Sequence, residues 1–388
     1  MPVISDTDSL AAFCDSLKGS PYITLDTEFM RESTYWPQLC LLQIAGPGES
    51  AENARAVDPL AKGIDLAPLD ALLHDPGMVK VVHSGRQDLE IFYHRHKRLP
   101  APIFDTQVAG MVCGFGDQVA YEKLCAQLAG AEIDKSSRFT DWSKRPLTDR
   151  QITYALSDVT HLRQIYLKLK ARLEANDRTP WLAEEMARLT DPRTYAMVPE
   201  EAWQRVRTRG AKPKVLAVLR EVAAWRERAA QERDIPRNRM LRDEALLEIA
   251  GHPPMDEAQL SRIRGMPKGF AQGALGQALL QAIRRGAELP KSEWPETERP
   301  TRKVKPPASI VEMLRVLLRL KAEEHDVAQR LIATADDLEA IAADDEADIA
   351  ALRGWRREVF GEDALALKAG KLALAVGGAR PRIIPLDD

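Results

Sequence analysis

Tyr22-Ile-Thr-Leu-Asp26-Thr-Glu28-Phe29 is the stretch on which the reading of this chain turns. Its β-branched and aromatic residues favour an extended strand. Successive side chains of a strand point to opposite faces, so Asp26 and Glu28 share one face. Flanked by Ile23, Leu25 and Phe29, the two carboxylates are expected to be half-buried and to repel each other. A divalent cation is the usual compensation. A pair of solvated acids on an edge strand is the competing interpretation, and the strand alone leaves both open.

Outward from this strand, Leu39 to Ala45 reads as a second strand and Val79 to His83 as a short buried one. A helical pattern follows from about Arg86 to His96, then a short strand Ile103-Phe-Asp105. From about Gln107 the pattern is helical and ends in Thr148 to Ala175. Strands alternating with helices predict an α/β (α+β) domain, a mixed sheet with helices on its faces. Tyr35-Trp36-Pro37 is expected to pack between the first two strands. Asp88 lies just after a buried strand, near a helix start, where the helix dipole alone would favour an acid. Tyr154 and Asp158 sit at i and i+4 of the last helix and point the same way. Each of these signals is weak by itself. Together they supply what two-metal phosphodiester hydrolysis needs: carboxylates from separate elements around ions roughly 3.5–4 Å apart. Hard oxygen ligands without His or Cys suit Mg²⁺ or Mn²⁺. The Tyr154 hydroxyl could orient the attacking water.

After about residue 195 strand signals disappear. Lys214 to Glu232 carries Val215, Leu216, Val218, Leu219, Val222 and Trp225 at helical spacing. Asp243 is expected to cap the next helix. Residues 290–308 are rich in proline and charge and read as a linker. Helices are then expected over Ile310 to Leu331, Asp336 to Ala342 and Glu346 to Val359, with a frayed tail. The division expected is 1–195, 208–290, a linker at 291–308, and 309–378, the last two folded parts being small and all-helical. The net charge of −3 hides an uneven distribution. Residues 1–200 carry 22 basic and 28 acidic side chains, residues 204–290 carry 17 and 10, and residues 301–388 carry 14 and 16. The middle segment is the basic one, which attracts polyanions whatever the total.

The four cysteines are scattered with no C-x-x-C pair, which argues against a zinc site or a disulfide framework. The N-terminus carries acids and no long apolar run, so no signal peptide is expected. The best apolar run, Ala364 to Val376, is interrupted by Lys368 and Lys371. No membrane span and a cytoplasmic location are expected. No G-x-x-x-x-G-K-[ST] loop occurs, so no nucleotide cofactor is expected.

With those residues in view, the chain resembles the ribonuclease D family of the DEDD exonuclease superfamily, tyrosine branch. The first motif matches in Asp26-Thr27-Glu28-Phe29, continuing as Arg31-Glu-Ser-Thr-Tyr35-Trp-Pro37-Gln-Leu-Cys40-Leu-Leu-Gln43. The second matches at His83-Ser-Gly-Arg-Gln-Asp88. The third matches at Asp141-Trp142-Ser-Lys-Arg145-Pro146-Leu-Thr and Tyr154-Ala-Leu-Ser-Asp158. The histidine branch would carry His where this chain has Thr153. The resemblance implies a ribonuclease-H-like fold and removal of 5′-mononucleotides from a free 3′-hydroxyl, with tRNA precursors and other small stable RNAs as substrates. It implies that Asp26, Glu28 and Asp158 bind one cation, and that Asp26 holds a second with Asp88. The helical segments are similar to the helicase-and-RNase-D C-terminal (HRDC) domain, in Val218-Leu-Arg-Glu221, Trp225-Arg-Glu-Arg228, Arg233-Asp-Ile-Pro236 and Asp243-Glu-Ala-Leu-Leu247. The last segment is a far more divergent copy.

Further candidates divide between chemistry and packing. Thr27, Phe29 and Trp142 are candidates to touch terminal nucleotides, since base stacking is worth roughly 1–3 kcal/mol; core packing is the alternative. Lys212, Lys214, Arg220, Arg226, Arg228, Arg237 and Arg239 are candidates for phosphate contact. His83 and His161 are expected to be structural, and Asp105 and Asp141 to cap or lie at the surface. A DNA exonuclease with the same metal chemistry, and a catalytically silent nucleic-acid-binding protein, are the competing functions.

Overall fold

The computed structural model describes residues 3–134, 140–208, 210–295, 306–378 and 380–386. It divides into two compact units that do not follow the linear order. One holds residues 1–28, 40–191 and 302–388; the other holds 29–39 and 192–301.

The first unit begins with α1 (Thr7–Leu17), capped by the Asp6 carboxylate accepting from Ser9 N–H. The five-stranded sheet then forms from β1 (Tyr22–Met30), β2 (Gln38–Ala45), β3 (Ala54–Val57), β4 (Val79–Val82) and β5 (Ile103–Asp105), in the order β3-β2-β1-β4-β5. β1 runs parallel to β4 and β4 to β5, while β2 and β3 are antiparallel, so the sheet is mixed. Between these strands lie α2 (Ala67–Leu73) and α3 (Arg86–His96), and after them α4 (Thr106–Val112) and α5 (Tyr121–Leu124). The long α6 (Asp149–Ala175) starts at a capping box between Thr148 and Gln151, and α7 (Thr179–Leu189) follows. Thr24 Oγ1 donates to Val159 O at 2.8 Å, which puts that face of β1 against α6. Two and four residues further on, Asp26 and Glu28 share this face.

The second unit contains α8 (Pro213–Glu232), α9 (Arg237–Met240), α10 (Asp243–Gly251), α11 (Glu257–Leu260) and α12 (Ala274–Glu288) around one apolar core. α8 and α12 approach closely: a Cβ on Gly286 would lie 2.6 Å from Val218 Cα. Two expectations are corrected here. Asp243 is not the cap of α10; that position is Arg242, and the Asp243 carboxylate instead takes Arg226 Nη1 at 2.6 Å. Tyr35 does not pack between the first two strands. Its hydroxyl donates to Glu227 on α8, and the Tyr35 and Trp36 N–H groups both donate to Asp234 Oδ1 at 3.0 Å.

The C-terminal helices belong to the first unit: α13 (Ala308–Glu324), α14 (Gln329–Ile332), α15 (Ala335–Ala343), α16 (Gly354–Arg356) and α17 (Glu362–Lys368). The helix expected over Ile310 to Leu331 stops at Glu324, because Asp326 takes the left-handed conformation (φ 47°). The tail is not frayed through its length: Leu372–Gly377 (β6) and Arg380–Pro385 (β7) form an antiparallel hairpin, so this part is not all-helical. The region docks on α7 through polar and aromatic contacts. Trp181 and Trp355 stack with centroids 4.3 Å apart. The buried Arg356 pairs with Glu184 at 2.6 Å and with Glu185. Ala328 N–H donates to Met111 O at 3.0 Å. Most of the expected linker, residues 296–305, lies outside the described residues. Among the described residues, no helix is long and apolar enough to cross a membrane.

Candidate active site

Carboxylate oxygens of Asp26, Glu28 and Asp158 all lie within 4.8 Å of one another. The first two come from β1 and the third from α6, so residues far apart in sequence meet. Asp88, in the first turn of α3, is buried and accepts a hydrogen bond from Thr27 Oγ1. The turn leading into α3 is built by another acid: Asp105 accepts from Ser84 N–H (3.0 Å), Gly85 N–H (2.9 Å) and Gln107 N–H (2.8 Å). A Cβ on Gly85 would come within 2.5 Å of Val82 Cγ2, so the turn needs glycine there.

The electrostatics are those of a buried anionic cluster. Burial, then the charges of Asp158, Asp88 and Glu28, push the Asp26 carboxyl well above the usual range. Burial, then Asp158 and Asp88, push Glu28 up to about 8. Burial pushes Asp88 up to about 6, with the Thr27 hydroxyl pulling the other way. Four acids held like this are stabilised by divalent cations, and an all-carboxylate donor set fits hard oxygen-seeking ions.

Tyr154 lies one turn before Asp158 on α6. Its ring stacks on Trp142 with centroids 6.2 Å apart and planes at 28°. Tyr121 holds the same stretch of helix, its hydroxyl donating to Asp158 O at 2.7 Å. Sequence reasoning did not single out Tyr121, since a lone Tyr opening a four-residue helix carries no spacing signal.

A family model described as 3′-5′ exonuclease matches residues 1–174, and one described as HRDC domain matches 215–283. Ribonuclease D of Gluconacetobacter diazotrophicus is 50% identical over 383 residues, covering 99% of this chain and 96% of that relative. The chain belongs to the ribonuclease D family. Ribonuclease D of Nitrobacter hamburgensis is likewise 50% identical, covering 98% of each chain. The crystal structure of Escherichia coli RNase D, described as an exoribonuclease involved in structured RNA processing, superposes with a TM-score of 0.80 at 30% identity, over 95% of this chain and 98% of that one. Like its ribonuclease D relatives, the chain is a hydrolase of the 3′–5′ exoribonuclease class.

Not every candidate lies where a ribonuclease D substrate could touch it. Trp142 is 2% exposed and packs under Tyr154, so it offers no free face to a base. Thr27 is buried and its hydroxyl is committed to Asp88. Phe29 is half-buried, on the strand face opposite Glu28. Arg226 is 2% exposed and bonded to Asp243 and Leu241 O, which removes it from the phosphate-contact set. Arg228 pairs with Glu200, Arg220 lies 3.9 Å from Glu221, and Arg239 donates to Glu32 O at 3.3 Å. Lys212 and Lys214 are exposed and Arg237 half-buried. Asp105 caps α4 and Asp141 accepts from Ser143 N–H. The His83 ring lies 3.0 Å from Thr106 Oγ1, and burial pulls both His83 and His161 below the usual imidazole range.

Proposed function

We propose that this protein is a cytoplasmic exoribonuclease that shortens RNA from a free 3′ end, with tRNA precursors and other small stable RNAs as substrates. The observation that carries the reading is the convergence of Asp26, Glu28 and Asp158 beside Asp88 and Tyr154. Asp26, Glu28 and Asp158 would hold one Mg²⁺ or Mn²⁺, and Asp26 with Asp88 a second. Bound there, such cations would lower the pKa of water and stabilise charge developing on phosphate. Tyr154, with its ring fixed, would accept or donate a hydrogen bond to the attacking water and so set its line of approach. Thr27 keeps one lone pair of Asp88 occupied and limits the directions in which that carboxylate can bind. Each cycle would release a 5′-mononucleotide and leave a new 3′-hydroxyl. In the second unit, Lys212, Lys214 and Arg237 make neither an ion pair nor a side-chain hydrogen bond among the described residues, and phosphate contact there would add a salt-dependent component to binding.

The test incubates 3′-extended tRNA, and matched RNA and DNA oligomers, with Mg²⁺ or Mn²⁺ and follows the products. Stepwise 5′-mononucleotide release from RNA supports the reading. Equal or faster hydrolysis of DNA would replace it with a DNA exonuclease, and activity surviving in Asp26→Asn would refute the metal assignment.

A further inference from the structure

Trp142 and Arg145 lie outside the acid cluster, yet they are built with unusual completeness for a turn. All five guanidinium N–H donors of Arg145 are engaged. Nε and Nη2 clasp Asp58 in a bidentate pair at 2.6 Å each. Nη2 also donates to Cys40 O at 2.6 Å, and Nη1 donates to Trp142 O at 2.8 Å and Lys144 O at 2.9 Å. Cys40 is on β2 and Asp58 directly follows β3, so one side chain fastens the 141–145 turn to two strands. Burial alone would raise the Asp58 carboxyl, but the hydrogen bonds and charge of Arg145 outweigh it and hold it below the usual range. Only a planar fork can make this set of bonds; an ammonium cannot.

The turn so fixed carries Trp142 into the core, where its indole packs against the Tyr154 ring in an offset stack. The phenol oxygen lies on the Cβ–Cγ axis, so spinning the ring leaves it in place; what displaces it is a swing of the whole ring about Cα–Cβ, between staggered wells. The buried indole, packed against the ring with centroids 6.2 Å apart and planes at 28°, opposes such a swing toward its side. We propose that Trp142 is a positioning residue for Tyr154, and that Arg145, through Asp58 and Cys40 O, is the brace that keeps it in place. The inference rests on the proposed role of Tyr154. It assigns the third motif a mechanical part: its aromatic residue aims the hydroxyl that orients water, rather than meeting the substrate.

The test is a double-mutant cycle on hydrolysis of a short 3′-labelled RNA at saturating Mn²⁺. Trp142→Leu should lower kcat by about tenfold, below the roughly hundredfold that a 1 Å misplacement can cost. KM and the Mn²⁺ midpoint should stay unchanged, because the acids are not disturbed. Trp142→Phe, which keeps a ring and loses the indole N–H, should recover most of the rate. Combined with Tyr154→Phe, Trp142→Leu should cost nothing further, since its effect passes through the phenol. Should Trp142→Leu fail to fold, Arg145→Lys runs the same cycle with the Trp142 ring retained. Multiplicative losses in the double variant, or a shifted Mn²⁺ midpoint in either single one, would overturn the proposal. Full activity in Tyr154→Phe alone would instead refute the functional reading on which it stands.

Discussion

Asp26 illustrates a conflict between stability and chemistry at a single residue. Its carboxyl and that of Glu28 are raised by burial and by their neighbours. Between the ordinary Glu value of 4.5 and the folded value of about 8, the native state therefore holds more protons than the unfolded chain. Stability of the metal-free protein should fall as pH rises through that window, and the gain from added Mn²⁺ should be larger at pH 8 than at pH 6. Thermal melts at the two pH values check this, and an equal Mn²⁺ gain at both would contradict it. Asp26→Asn should melt higher than the parent without metal, with a flatter pH dependence. Its activity should drop by about a thousandfold, because metal clamps supply several kcal/mol of transition-state stabilisation. These residues were legible because strand alternation converts a spacing of two into a shared face. Arg226 was misjudged from the same kind of information. It falls four residues after Val222 and four before Ala230, on the apolar stripe of α8, and that stripe was the signal that it is buried.

At the scale of elements, the β4–α3 turn shows how a carboxylate outside the cluster can set the geometry within it. Asp105 gathers the Ser84, Gly85 and Gln107 amides and so fixes where α3, with Asp88 in its first turn, begins. Asp105→Ala would strand those buried N–H groups and should destabilise the protein by about 2–3 kcal/mol, seen as a lowered urea midpoint. A loss below 0.5 kcal/mol would mean that water replaces the carboxylate. Of the five strands, β3 escaped the sequence because Ala54-Arg-Ala-Val57 is short and half alanine. The break after α13 escaped it because Asp326, an ordinary polar residue, takes a backbone conformation that spacing does not encode. The third helical segment ended in a hairpin for a related reason. Leu372, Leu374 and Ile383 pack against the core of the C-terminal helices, and that tertiary partner turns a tail into two strands.

For the whole molecule, the C-terminal helices are structural partners of the catalytic part. Arg356 is 2% exposed and carries Glu184 and Glu185, with Leu331 O accepting from Nε at 2.7 Å. Removing one side of a buried pair leaves uncompensated charge, so Arg356→Ala should cost about 3–5 kcal/mol. The stacked Trp181–Trp355 pair offers a spectroscopic reporter, since near-ultraviolet circular dichroism should change in step with the loss. An unaltered melting curve would show the docking to be energetically idle. The second unit has a different lesson. Residues 29–39 leave β1, bind Glu227 and Asp234 through Tyr35 and Trp36, and return as β2. The chain therefore passes between the units at 28–29, 39–40, 191–192 and 301–302. A graft that swaps in a foreign helical module at residues 192 and 301 would abandon this inserted finger, stripping Tyr35 of its acceptor. Transplants that carry 29–39 with the helices should survive where simple splices do not.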